Sequence, residues 1–155
     1  MPITCLPTKS QIVKCTHGIS SFYYPIGNKG IKFFQNKAER NYSKEYQNLA
    51  FLAGLAPETF VNVYSDGFWG YVTESVQMLH SLYTFEQLPN KYHKMISNLC
   101  DDVYDAIYFT TDQNYRNFGI KNNKLVLVDF GYSSEYSYWG YYAAWSKYSV
   151  YGFYC

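Results

Sequence analysis

Short stretches in the first third of the chain alternate apolar and polar residues with the period of two that a half-buried strand requires. Residues 11–16 (Q-I-V-K-C-T), 21–26 (S-F-Y-Y-P-I) and 30–35 (G-I-K-F-F-Q) follow that pattern, with turns at Gly18 and Gly27-Asn28. This predicts a three-stranded antiparallel meander. The period then changes. No Gly or Pro interrupts residues 36–53, and Tyr42, Tyr46, Leu49 and Ala53 recur at helical spacing. Gly54 and Pro57 stand where a helix ends. Two further strands, 59–64 and 68–73, flank the turn Ser65-Asp66-Gly67. Pro89 opens the clearest helix, with Tyr92, Met95, Ile96, Leu99, Val103 and Ile107 on one face. A polar loop, 110–118, leads to a hairpin turning at Asn122-Asn123, whose second strand carries Asp129 at its end. The pattern predicts an α+β protein: a five-stranded antiparallel sheet with one helix, then a helical part bearing a short hairpin.

Neither an internal repeat nor a low-complexity linker divides the 155 residues, so one domain over 1–155 is expected. Charged residues make up 16%, well below the usual share of about 25%. Tyrosine fills the difference, with 19 Tyr and 11 Phe. A net charge of +1 with scattered Lys and Arg gives no basic stripe, which argues against nucleic acid as a partner. Cys5, Cys15, Cys100 and Cys155 lack zinc-ligand spacing and read as free thiols in a reducing compartment. The N-terminus does not have the form of a signal peptide, and no apolar run approaches the roughly 18 residues of a membrane helix. A cytoplasmic protein with no membrane partner is expected.

The chemistry concentrates in residues 112–131, D-Q-N-Y-R-N-F-G-I-K-N-N-K-L-V-L-V-D-F-G. Asn117 follows Asp112 by five residues on one loop, and the hairpin returns Asp129 beside them. Carboxylate and amide oxygens are hard ligands that suit magnesium, which takes a few protein oxygens plus substrate phosphates. One carboxylate then remains to accept a proton from a hydroxyl.

D-x-x-x-x-N followed by D-F-G resembles the catalytic loop and metal motif of protein kinases and small-molecule kinases. The resemblance implies a protein-kinase-like fold with a small N-lobe (1–74) and a reduced helical C-lobe (75–155). It implies ATP and Mg2+ as ligands, Asp112 as the group that orients and deprotonates the acceptor hydroxyl, and Asn117 and Asp129 as metal ligands. It also implies a role for Lys32 in I-K-F-F, similar to the family's V-A-I-K lysine, which contacts the α- and β-phosphates. Gly18, Ser20 and Ser21, in H-G-I-S-S-F-Y, stand where the family carries its glycine-rich phosphate loop. The helix 36–53 corresponds to the family's αC, on which the lysine's carboxylate partner should sit. Glu45, near the helix middle, is the residue chosen, and Gln47 is the alternative in a variant lacking the ion pair. W-G-Y-V-T-E-S resembles the fifth strand running into the hinge, where backbone groups around Glu74 and Val76 would meet an adenine.

Two departures bear on activity. Thr110-Thr111-Asp112 replaces the family's H-R-D, so the metal segment must be braced from elsewhere. Only 24 residues follow Gly131, without the A-P-E motif or the helices of a peptide platform. The expected function is an ATP- and magnesium-dependent phosphotransferase acting on protein Ser/Thr. The alternative is a kinase-like binding module that acts by contacting a partner protein. Such economy of size is in keeping with a viral or mobile-element protein, by analogy alone. Residues 132–155 are crowded with Tyr and Trp and are expected to fold back over the helix 89–109, leaving part of their surface for a homodimer.

Overall fold

The computed structural model describes residues 6–17 and 21–131. The aromatic segment 132–155, with the fold-back and dimerisation expected of it, lies outside the described residues, as do Gly18 and Ser20.

The architecture is α+β. A five-stranded antiparallel sheet runs in the order β1 (Thr16–His17), β2 (Ser21–Ile26), β3 (Lys29–Phe34), β5 (Phe68–Glu74), β4 (Thr59–Ser65). Between β3 and β4 comes α2 (Lys37–Leu52). After β5 the chain forms β6 (Gln77–Met78), α3 (Leu79–Leu82), α4 (Asn90–Ile107), and the hairpin β7 (Phe118–Lys121) and β8 (Lys124–Leu127). Strands β6, β7 and β8 pair in that order as a second antiparallel sheet.

One expected strand is largely a helix. Residues 11–16 were expected to be extended, but Lys9–Val13 form α1 and only Thr16–His17 pair with β2. The cause is local: Thr8 accepts from the Gln11 amide and Gln11 returns a bond to the Thr8 amide at 2.8 Å, a capping box. The turn lets Ile12 reach the first of two cores, with Ile31, Phe33, Phe68 and Val72. Lys9 donates its backbone amide to Asp66 at 2.7 Å, pinning this segment to the β4–β5 turn.

The second core joins α2 to the C-terminal half. Ala50 of α2 lies with Tyr92, Ile96, Leu99, Cys100 and Val103 of α4, with Phe118 and Leu127 of the hairpin, and with Phe130. Helix α4 begins one residue after Pro89, which serves as its N-cap. The hairpin turn at Asn122-Asn123 has φ of 51° and 61°, the left-handed pair of a two-residue type I′ turn.

Candidate functional site

Register sets the face on which the site is built. Lys32 lies directly across from Tyr23 on β2 and Tyr71 on β5, so all three point to one side of the sheet, the side that α2 covers. Lys32 is only 7% exposed and donates to Gln47 Oε1 at 2.9 Å. Gln47 is fully buried, and each end of its amide has two partners. Oε1 also accepts from Tyr71 OH at 2.7 Å, while Nε2 donates to Thr73 Oγ1 at 2.7 Å and to the Pro57 carbonyl at 3.0 Å. Ser43 bonds to the Tyr71 hydroxyl at 3.1 Å, continuing the network along α2.

Glu45 was expected to partner Lys32, and the structure places it elsewhere. It is exposed, beside Asn41, Lys44 and Asn48 on the outer surface of α2. Two residues along a helix turn the direction by about 200°, so Glu45 and Gln47 cannot share a face. Gln47, weighed as the alternative, is the residue at the lysine.

The second half of the site grows from the hairpin. Lys32 Nζ donates to the carbonyl of Val128, the residue before Asp129. The Val128 amide donates to the Asn117 carbonyl at 2.8 Å, and Asn117 Nδ2 donates to the Asp112 carbonyl at 3.3 Å. One relay of hydrogen bonds thus ties Lys32, Asn117 and Asp112 to the backbone that presents Asp129. Asn117 is buried at 8% exposure and ends a short 3-10 turn, Tyr115–Asn117. Because Nδ2 faces Asp112, Oδ1 is the Asn117 atom left for a ligand. Asp112 Oδ1 accepts from the Asn114 amide at 2.8 Å, which orients the carboxylate. Asp129 Oδ1 accepts from the Gly131 amide at 2.9 Å.

The chain leading to Asp129 is braced by hydrogen bonds from both halves. Leu127 donates to the Leu55 carbonyl at 3.0 Å, and Val128 is held by Asn117 and Lys32. Phe130 is fully buried against Phe109, ring centroids 5.2 Å apart, and Tyr46 of α2 packs on Phe109 at 5.1 Å. Asp129 is therefore flanked by an anchored ring and an anchored amide. Cys100, on α4, is near enough to Asp112 to feel its charge. Burial pushes its thiol up to about 12, and the charges of Asp101 and Asp112 add to that rise.

Across the linker from β5 to β6, the side chain of Glu74 is committed to structure. It pairs with Lys121 at 2.8 Å and accepts from the Glu58 amide at 3.2 Å. Burial raises its carboxyl, but Lys121, the Glu58 amide and Lys29 outweigh that and hold it below its usual value. Val76 packs against Gly119, where a Cβ would meet it. Ser21 begins β2 opposite Phe34 and is half-buried.

Sequence reasoning passed over Tyr23. Its ring lies across Gly30, and its hydroxyl hydrogen-bonds with Ser75 in the linker. A Cβ at position 30 would collide with that ring, which accounts for a glycine inside a strand. Gly30 within K-G-I-K was the available signal.

No protein-family model matches the chain, and no curated protein is significantly similar to it. Among the described residues, no helix is long and apolar enough to cross a membrane.

Proposed function

We propose that this chain is a kinase-like phosphotransferase that binds ATP with magnesium and transfers a phosphoryl group to a Ser or Thr hydroxyl of a protein. The observation that carries this reading is the relay from Lys32 through Val128 and Asn117 to Asp112, which gathers residues up to 96 positions apart around Asp129. The relay ties the backbone beside Asp129 to Lys32, Asn117 and the Asp112 carbonyl, and such positioning is what phosphoryl transfer needs, since its catalysis is mainly positioning and charge stabilisation.

The residues fit magnesium. Asn117 Oδ1 and the Asp129 carboxylate are two hard oxygens, and magnesium commonly takes one or two protein ligands with phosphate oxygens and water completing its shell. Among the described residues there is no cluster of three or more His, Cys, Asp or Glu side chains, so an all-protein cage is not on offer. When bound, the metal would neutralise phosphate charge. Lys32 would hold phosphate oxygens, and Asp112, oriented by the Asn114 amide, would orient and deprotonate the acceptor hydroxyl.

One observation favours the second reading, a binding module without transfer. The Tyr23 ring, tied to Ser75 on the Lys32 face of the sheet, takes up room that a base would need.

Thermal shift with ATP, with and without magnesium, tests binding. A ligand at a hundredfold excess over Kd stabilises the native state by about 2.7 kcal/mol. Asp129→Ala should abolish the magnesium-dependent part. Incubation with labelled ATP and cell lysate tests transfer, which Asp112→Asn should remove while leaving nucleotide binding intact. Equal shifts with and without magnesium in the wild type would defeat the metal assignment. Nucleotide binding without transfer would establish the binding module instead.

A further inference from the structure

A cavity of about 600 Å³ lies directly beside the candidate catalytic loop, within the range typical of ligand pockets. Its walls come from α3 and the turn after it, from α4, and from Gln113–Arg116, the residues between Asp112 and Asn117. The loop that carries Asp112 therefore also supplies a wall of this cavity.

Three features of that wall point to an anionic guest. Arg116 is exposed, and among the described residues no carboxylate lies within ion-pair distance of it. His80 also lines the cavity; its Nδ1 is buried, which leaves Nε2 as the ring nitrogen a guest could meet. His93 stands on α4 against Phe85, ring centroids 5.9 Å apart. Burial and the Arg116 charge hold His80 below its ordinary value, and an anion that approached both groups would offset the second of these. Phe85, 61% exposed, and Tyr115 meet edge to face at 5.8 Å and give the same cavity an apolar wall. Glu86 also lines the cavity. It forms no ion pair with Arg116, so it opposes an anion without neutralising the guanidinium by contact.

We infer that this cavity is an acceptor subsite that receives an acidic or phosphorylated side chain of the substrate polypeptide, with Arg116 and His80 as its recognition groups. The inference rests on the phosphotransferase reading for the word acceptor, while the anion site stands on its own geometry. Arg116 sits four residues after Asp112 on one loop, so an anchored acidic side chain would hold a substrate segment beside that loop. The site selects for charge next to the acceptor and takes no part in the transfer.

Fluorescence anisotropy on the full chain tests this with a labelled Ser-containing peptide flanked by Glu or phosphoserine, against its Gln-flanked counterpart. The acidic peptides should bind at least tenfold tighter. Arg116→Gln should erase that preference while leaving magnesium-dependent ATP binding unchanged, and Glu86→Gln should tighten the acidic peptides further. Equal affinity for acidic and Gln-flanked peptides, or a preference that survives Arg116→Gln, would overturn the inference. A charge preference in a protein that binds no ATP would keep the anion site and remove the phosphotransferase reading. ATP binding without charge preference would remove only the subsite.

Discussion

Replacing Gln47 tests how the lysine half of the site is held. Its side chain is fully buried and makes four hydrogen bonds, accepting from Lys32 and Tyr71 and donating to Thr73 and the Pro57 carbonyl. Gln47→Ala removes all four and leaves a void between α2 and the sheet. A buried polar group left without its partner costs about 1–3 kcal/mol. Some of the orphaned groups keep other bonds: Tyr71 still has Ser43, and Thr73 still has the Glu58 carbonyl at 3.2 Å. The sum should therefore fall near the large end of single substitutions, about 4 kcal/mol. For a chain of this size that lowers Tm by about 8–16 °C. Gln47→Glu is the sharper test. It offers Lys32 a carboxylate, yet it sets an oxygen where Nε2 now donates to Pro57 at 3.0 Å. The lost donor and the oxygen–oxygen repulsion should outweigh the ion pair, for a net loss of about 1–2 kcal/mol. Denaturant unfolding of both variants measures this. A Gln47→Glu protein as stable as the wild type would refute the claim that this position requires an amide.

Gly30→Ala should expel the Tyr23 ring and destabilise the sheet, and Tyr23→Ala in the same chain should recover part of that loss, a non-additivity read by a double-mutant cycle. Gly70→Ala has no such rescue, because its Cβ would press on the Lys32 backbone carbonyl at 2.7 Å. Cys100, with its thiol raised to about 12, should resist alkylation at pH 8, and Asp112→Asn should lower that value, detected by mass spectrometry of iodoacetamide adducts across pH. The carboxyl of Glu74 lies below its unfolded value, so its stabilisation is complete above the ordinary carboxylate range and is lost as pH falls through the folded value. Lys121→Ala should remove most of that pH dependence at a cost below about 1 kcal/mol, the pair being partly exposed, as acid-titrated melting curves would show.

Elements that carry their own pattern were legible in the sequence. The uninterrupted run 36–53 became α2 at Lys37–Leu52, and four strands fell within a residue or so of expectation. Elements defined by a partner were not. The two residues of β6 are a strand because β7 lies beside them, and α3 has four residues, too few to show a period. The segment around Ile12 has too few apolar positions to separate the two periods, and its capping box decided for a helix. Within α2 the tyrosines set the expected phase, whereas the buried stripe against the sheet runs through Ser43, Gln47 and Ala50. That shift of phase is why the lysine's partner is an amide. The hairpin that follows Asp112 and Asn117 and leads to Asp129 was legible because its turn signal is local; the reach of Lys32 to Val128 depends on the packing of the two halves.

Helix α2 has a consequence for how the molecule opens. Its Arg40 donates to the Gly70 carbonyl at 3.0 Å and its Gln47 to Thr73, both on β5, while its Ala50 belongs to the core that contains α4 and the hairpin. One helix is thus a wall of both halves, and neither half can fray without exposing a buried face of the other. Amide hydrogen exchange along β5, α2 and α4 should therefore proceed by one shared opening, with similar free energies in elements remote in sequence.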